Sequence, residues 1–197
     1  MNLPNKLTVL RIAIVPLMIA TLLIGFPHHY LVSGLLFGIA ALTDFFDGRI
    51  ARKRNLITDF GKFADPLADK ILVISALVCF AELSITSSVV AIVVLFREFA
   101  VTSIRLVAAS NGKVVAANMW GKAKTVSQII AIAVTFALQY IAELMSMSII
   151  PVSADVLSQC TLVFYIVSNV CLWISAALAL ISGIIYIKDN REFIKTI

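Results

Sequence analysis

A chain of 197 residues that is 61% hydrophobic and only 14% charged, with a mean hydropathy of +1.03, lies outside the range of soluble domains and falls in the membrane class. Its net charge of +5 does not mark a nucleic-acid partner, because the lysines and arginines gather at the ends of apolar runs, where they set topology and attract anionic phosphates. The length suits one domain, residues 1–197.

Apolar runs of about 20 residues, the length a bilayer requires, fall at 7–25, 31–52, 60–82, 87–108, 121–142 and 160–187. They predict an all-α polytopic membrane protein with six transmembrane helices. Gly25, Pro27, Ser84, Ser87, Asn111, Gly112 and Pro151 punctuate the connectors between them. The first, third and fifth connectors contain no Lys or Arg, whereas Lys6, Arg11, Arg52, Lys53, Lys62, Lys113, Lys122 and Lys188 lie on the other side. Cytoplasmic loops carry the basic excess, so both termini are predicted to be cytoplasmic. No small-residue cleavage site follows the first run, which reads as a retained span. Cys79, Cys160 and Cys171 sit in apolar stretches without metal or redox spacing and read as small buried hydrophobes.

The opening segment, Asn2 to Arg11, is polar on one side and precedes the first span. His28 and His29 form a pair in the first outer connector, ordinary for an interface. The next two helices carry four carboxylates, Asp44, Asp47, Asp65 and Asp69. An ionised group at membrane depth is expensive and usually marks a site. Asp44 and Asp47 are three apart and Asp65 and Asp69 four apart, so each pair shares one face of its helix. A polar turn over 53–59 would fold the helices side by side and bring the four together. Counted from residue 31, Asp44 lies roughly 20 Å into the membrane at 1.5 Å per residue, in the inner-leaflet third. That many hard oxygens suit one or two Mg²⁺ or Mn²⁺ ions with positions left for phosphate.

Helix four carries Arg97, Glu98, Thr102 and Arg105. Glu98, Thr102 and Arg105 share a face while Arg97 points away from it. Arg105, partly balanced by Glu98, would then present its planar fork to a substrate phosphate, with Thr102 beside it. Lys122 and Lys124 open helix five, where a helix N-terminus and adjacent lysines attract anions. Arg105, Thr102, Lys122 and Lys124 are thus the candidate pocket for a phosphorylated acceptor. Helix six and the tail after Lys188 carry no recognisable chemistry and read as span and anchor.

The order D-x2-D-G-x2-A-R-x8-G-x3-D-x3-D over Asp44 to Asp69 resembles the signature of the CDP-alcohol phosphotransferase family at every fixed position. The opening Pro4-Asn5-x-Leu-Thr8-x-x-Arg11 is similar to that of members of the same family. The resemblance implies that Asp44, Asp47, Asp65 and Asp69 hold two divalent ions. It implies that Gly48, Ala51, Arg52 and Gly61 line a CDP site, with Asn5, Thr8 and Arg11 against the nucleotide, and that Asp69 is the general base. Helices four and five read as R-E-x3-T-x2-R over Arg97 to Arg105 and G-K-x-K-T-x2-Q over Gly121 to Gln128, which resembles one branch of the same family. That resemblance implies CDP-diacylglycerol as donor and glycerol 3-phosphate as acceptor, with inositol phosphate, serine or phosphatidylglycerol as other acceptors. The family resemblance further implies a homodimer in the cytoplasmic membrane of a bacterium, its active site toward the cytoplasm. A divalent-cation transporter is the competing class, disfavoured because the carboxylates cluster at one depth beside Arg52 and Lys62.

Overall fold

The computed structural model describes the backbone of residues 3–54, 59–110 and 119–191, and the side chains of 5–43, 67–109 and 119–191. Among the described residues the chain forms six α-helices: α1 (Leu3–Ile24), α2 (His29–Arg54), α3 (Asp59–Glu82), α4 (Ser88–Ser110), α5 (Met119–Ser146) and α6 (Ala154–Asp189). Every apolar run of the sequence becomes one of them. Asn5–Ile24, Met119–Ser146 and Ala154–Asp189 are long and apolar enough to cross a bilayer, and His29–Thr43 is a shorter apolar helix. The 23 residues of α4 also reach spanning length, with the apolar run broken by Arg97, Glu98 and Arg105. The outward faces carry Leu17, Leu35, Phe96, Leu106, Leu162 and Ile184, each more than half exposed. Surface of that kind belongs against acyl chains, and the chain is a polytopic membrane protein.

Two helices, α1 and α6, begin about a turn or more before their apolar runs do. Polar Asn5, Thr8 and Arg11 were expected ahead of the first span, but α1 starts at Leu3 and all three are buried. α1 packs along both α2 and α3, and for Arg11 the second supplies the Asp69 carboxylate, a partner that hydropathy cannot register. In α6 the start moves to Ala154, capped by Ser153, whose hydroxyl accepts from the Val156 N–H at 3.4 Å. Asp155 in its first turn and Lys188 in its last complement the helix dipole.

The connectors without basic residues are tight. Gly25 ends α1 at φ +71, a left-handed position that an L side chain resists. Ser84 and Ser148 take the same conformation after α3 and α5. There the amides of Ile85 and Ile149 reach back to the Phe80 and Leu144 carbonyls at 2.8 and 3.1 Å, closing the helix ends. At this end the Glu143 carboxylate of α5 accepts from the His29 backbone N–H at 3.2 Å and lies 3.0 Å from its Nδ1. The His28 ring meets Tyr140 of the same helix. The pair is therefore a structural tie between the first turn and α5.

Met18, Leu22, Phe37, Phe80, Val94, Ile132 and Leu172 form the core. Phe80 and Phe136 meet edge to face at 4.9 Å between ring centres. On α6 the inward line is small: Ser175, Ala176, Ala179, Ser182 and Gly183 are buried, and short side chains let helices approach closely in a membrane.

Candidate active site

Away from the capped turns, α2, α3, α4 and α5 part around a cavity of about 730 Å³. Its walls carry Lys70 of α3, Arg97 and Arg105 of α4, and Lys122 and Lys124 of α5, against the carboxylates of Asp69 and Glu98. Among the described residues, five cations facing two anions make a place for a negatively charged ligand.

The charges are arranged in two groups. Glu98 is buried and its Oε1 accepts from Arg97 Nη1 at 3.0 Å. The same oxygen takes the Lys124 ammonium, also buried. Arg97 is held further by Ser182 Oγ of α6 at 2.8 Å. This differs from the expected pairing of Glu98 with Arg105. A side chain as long as arginine's bends back to its neighbour despite the offset of their Cα positions, and the Lys124 ammonium reaches in from α5. Arg105 instead donates its Nε to the Tyr186 hydroxyl at 3.3 Å and lies 5.4 Å from the centre of that ring. Tyr186 thereby orients the fork while leaving its other nitrogens toward the cavity. Among the described residues Lys70 and Lys122 form no ion pair.

Of the expected acceptor-phosphate residues, Arg105, Thr102, Lys122 and Lys124 all border this cavity. Thr102 spends its hydroxyl proton on the Glu98 carbonyl at 2.7 Å, and its oxygen remains an acceptor. Lys124 is committed to Glu98. Among the described residues, Lys70, Arg105 and Lys122 are therefore the cations available to a ligand.

Asp69 joins this wall from α3. Its Oδ1 accepts from Arg11 Nη1 at 2.8 Å, where the arginine side chain is fully buried and that of Asp69 is 48% exposed. The opening segment thus supports the last aspartate of the motif from behind. Asn5 and Thr8 are buried on α1, at i, i+3 spacing from one another and from Arg11. The helical backbone includes positions 44, 47, 48, 51, 52, 61 and 65. The side chains of Asp44, Asp47, Arg52 and Asp65, and the surroundings of Gly48, Ala51 and Gly61, lie outside the described residues.

Sequence reasoning passes over Lys70, Ser182 and Tyr186, and it meets Gln128 only as the last position of the helix-five pattern G-K-x-K-T-x-x-Q, with no role attached. Lys70 carried a signal, since a lysine inside an apolar run is itself a site marker, but it follows directly on a motif that ends at Asp69. Ser182 carried a signal too, the last of Ser168, Ser175 and Ser182 at seven-residue spacing, whereas nothing around Tyr186 singles it out.

Gly183 explains how α6 reaches Arg97. A Cβ there would lie 2.9 Å from Arg97 Cγ, too close for the mid-chain carbon of a side chain pinned at its far end. Gly183→Ala is expected to cost about 1–3 kcal/mol of stability, read as a lowered thermal midpoint in detergent; an unchanged midpoint would mean that α6 yields freely.

Six apolar helices, four of them parted around a chamber whose described walls are rich in cations, define a membrane protein built to take an anionic ligand. A family model described as CDP-alcohol phosphatidyltransferase matches residues 1–181. The chain belongs to that family and is an enzyme of the CDP-alcohol phosphotransferase type. It is similar at 39% identity, over 99% of its length and 98% of the other's, to a Bacillus subtilis protein named CDP-diacylglycerol--glycerol-3-phosphate 3-phosphatidyltransferase. A Rickettsia bellii protein of the same name is 34% identical over 98% of this chain and 97% of its own. A Mycobacterium tuberculosis protein named probable phosphatidylglycerophosphate synthase is 41% identical over 66% of this chain and 64% of its own.

Proposed function

We propose that the chain transfers the phosphatidyl group of CDP-diacylglycerol to glycerol 3-phosphate, giving phosphatidylglycerol phosphate and CMP. The observation that carries this reading is the wall that Asp69 shares with Lys70, Arg105 and Lys122, a carboxylate beside three cations. Such a wall suits an acceptor that brings a phosphate of its own, and it counts against free serine.

In this reading Lys70, Arg105 and Lys122 hold the acceptor's phosphate and turn its primary hydroxyl toward Asp69. Asp69, steadied by Arg11, takes the hydroxyl proton while the oxygen bonds to the β-phosphorus of the donor. The bond from that phosphorus to the CMP oxygen breaks, and CMP leaves with the electron pair. Asn5, Thr8, Gly48, Ala51, Arg52 and Gly61 form the CDP site, the small residues letting the nucleotide approach the backbone.

Asp44, Asp47, Asp65 and Asp69 would hold Mg²⁺ or Mn²⁺, in all two ions. The donor chemistry fits, since α2 and α3 pack on one another, and four carboxylates from adjacent helices are what hard divalent ions take. Bound there, the metal supplies charge neutralisation of the pyrophosphate. The enzyme works as a homodimer in the cytoplasmic membrane, with both termini and the cavity mouth toward the cytoplasm, where the basic connectors belong.

The test is CMP release by the purified protein with CDP-diacylglycerol and Mg²⁺ or Mn²⁺, compared across acceptors. Glycerol 3-phosphate is expected to exceed serine, inositol phosphate and phosphatidylglycerol by at least about 100-fold in kcat/KM, and a chelator is expected to abolish release. A faster reaction with another alcohol would reassign the acceptor. Turnover unchanged by the chelator would remove the metal.

A further inference from the structure

Gln128 on α5 borders the cavity and is only 2% exposed. Its Nε2 has no hydrogen-bond partner among the described residues. A buried carboxamide nitrogen with both protons unmatched is costly, and native structures rarely leave one so. Nothing beside it offers an acceptor. Lys124, one turn before it, is closed on Glu98. Ile132, one turn after it, is apolar, and Phe37, Ala41 and Val73 line the cavity as hydrocarbon. A partner for this amide has to arrive in the cavity.

We infer that Gln128 is a specificity-determining residue that recognises a non-reacting hydroxyl of the acceptor. The assignment rests on the transferase reading above and deepens it. A carboxamide both donates and accepts, as an alcohol does, and carries no charge. The phosphate end of the ligand already has Lys70, Arg105 and Lys122. Gln128 lies six positions beyond Lys122 on α5, about 9 Å along the axis, far enough for one ligand to meet the lysine with its phosphate and the amide with its carbon chain. In glycerol 3-phosphate the hydroxyl that does not attack is on the middle carbon. A site holding an amide for that hydroxyl disfavours an acceptor lacking it, because the amide is then left buried without a partner.

The experiment compares glycerol 3-phosphate with 3-hydroxypropyl phosphate, which keeps the phosphate and the primary alcohol and lacks only the middle hydroxyl. In the wild-type protein, kcat/KM for glycerol 3-phosphate is expected to be about 10- to 100-fold the higher. In Gln128→Leu the ratio falls to near 1, a change that a merely structural defect, slowing both acceptors alike, does not produce. Gln128→Met repeats the measurement with an unbranched apolar chain. A wild-type ratio below about 2, which needs no variant to measure, overturns the assignment, and so does a variant that keeps the wild-type ratio. Absence of any CMP release with glycerol 3-phosphate overturns the transferase reading and this assignment with it.

Discussion

Asp69→Asn is expected to slow CMP release by about 100- to 10,000-fold while CDP-diacylglycerol binding stays within about threefold of wild type. The substitution changes the shape very little. Asparagine still offers an oxygen to Arg11 Nη1, now 2.8 Å from Asp69 Oδ1, so the buried guanidinium keeps a partner. What is lost is the capacity to take a proton from the acceptor. Rates measured at saturating acceptor, alongside binding of the nucleotide lipid by equilibrium titration, separate the two roles. If binding falls as far as turnover does, Asp69 serves to hold metal and another group removes the proton. Asp69→Ala is the harsher change and is expected to lower stability too, because Arg11 is fully buried and would lose this counter-charge.

Glu98→Gln should be the most destabilising single-atom exchange in the described part of the chain. One carboxylate oxygen receives both Arg97 and Lys124. Neutralising it leaves two buried cations beside each other, at a cost of about 3–5 kcal/mol. A fall in the thermal midpoint measured in detergent is the expected reading, together with loss of activity as α4 and α5 separate at the cavity. The double variant Glu98→Gln with Lys124→Met should recover part of the midpoint, since it removes one of the stranded charges, and the recovery measures their coupling. A single variant as stable as the wild type would mean that the three charges are solvated and that the cavity is wetter than its walls suggest.

Both expectations begin from residues visible in the sequence, and they differ in how far the sequence carries them. Asp69 could be named because an aspartate in an apolar run, four positions after another, is a strong local signal. The six helices were legible from length and hydropathy, each being a predominantly apolar stretch of about 20 residues set off by turn residues. The Glu98 arrangement was not legible. Helical spacing ranks Thr102 and Arg105 as its companions, whereas its partners are Arg97, next in sequence, and Lys124, 26 positions away. The second depends on how α5 is rotated against α4, which no pattern within either helix encodes. Gln128 was visible as the end of the helix-five pattern, but its role was hidden in the same way: one amide in an apolar helix says little until the cavity beside it and the missing partner are seen together. The early start of α1 escaped because hydropathy counts Asn5, Thr8 and Arg11 as solvent-seeking and cannot know that Asp69 of α3 receives Arg11.

The Arg11 to Asp69 bond spans 58 positions, and that distance bears on how the protein is made. During synthesis the first helix enters the bilayer before the carboxylate that will meet its guanidinium has left the ribosome. Until then Arg11 has to stay near the headgroups, where a long cationic side chain can reach water. The first helix therefore completes its insertion only when the third arrives, so maturation of the reaction centre and final seating of the amino-terminal span become a single event.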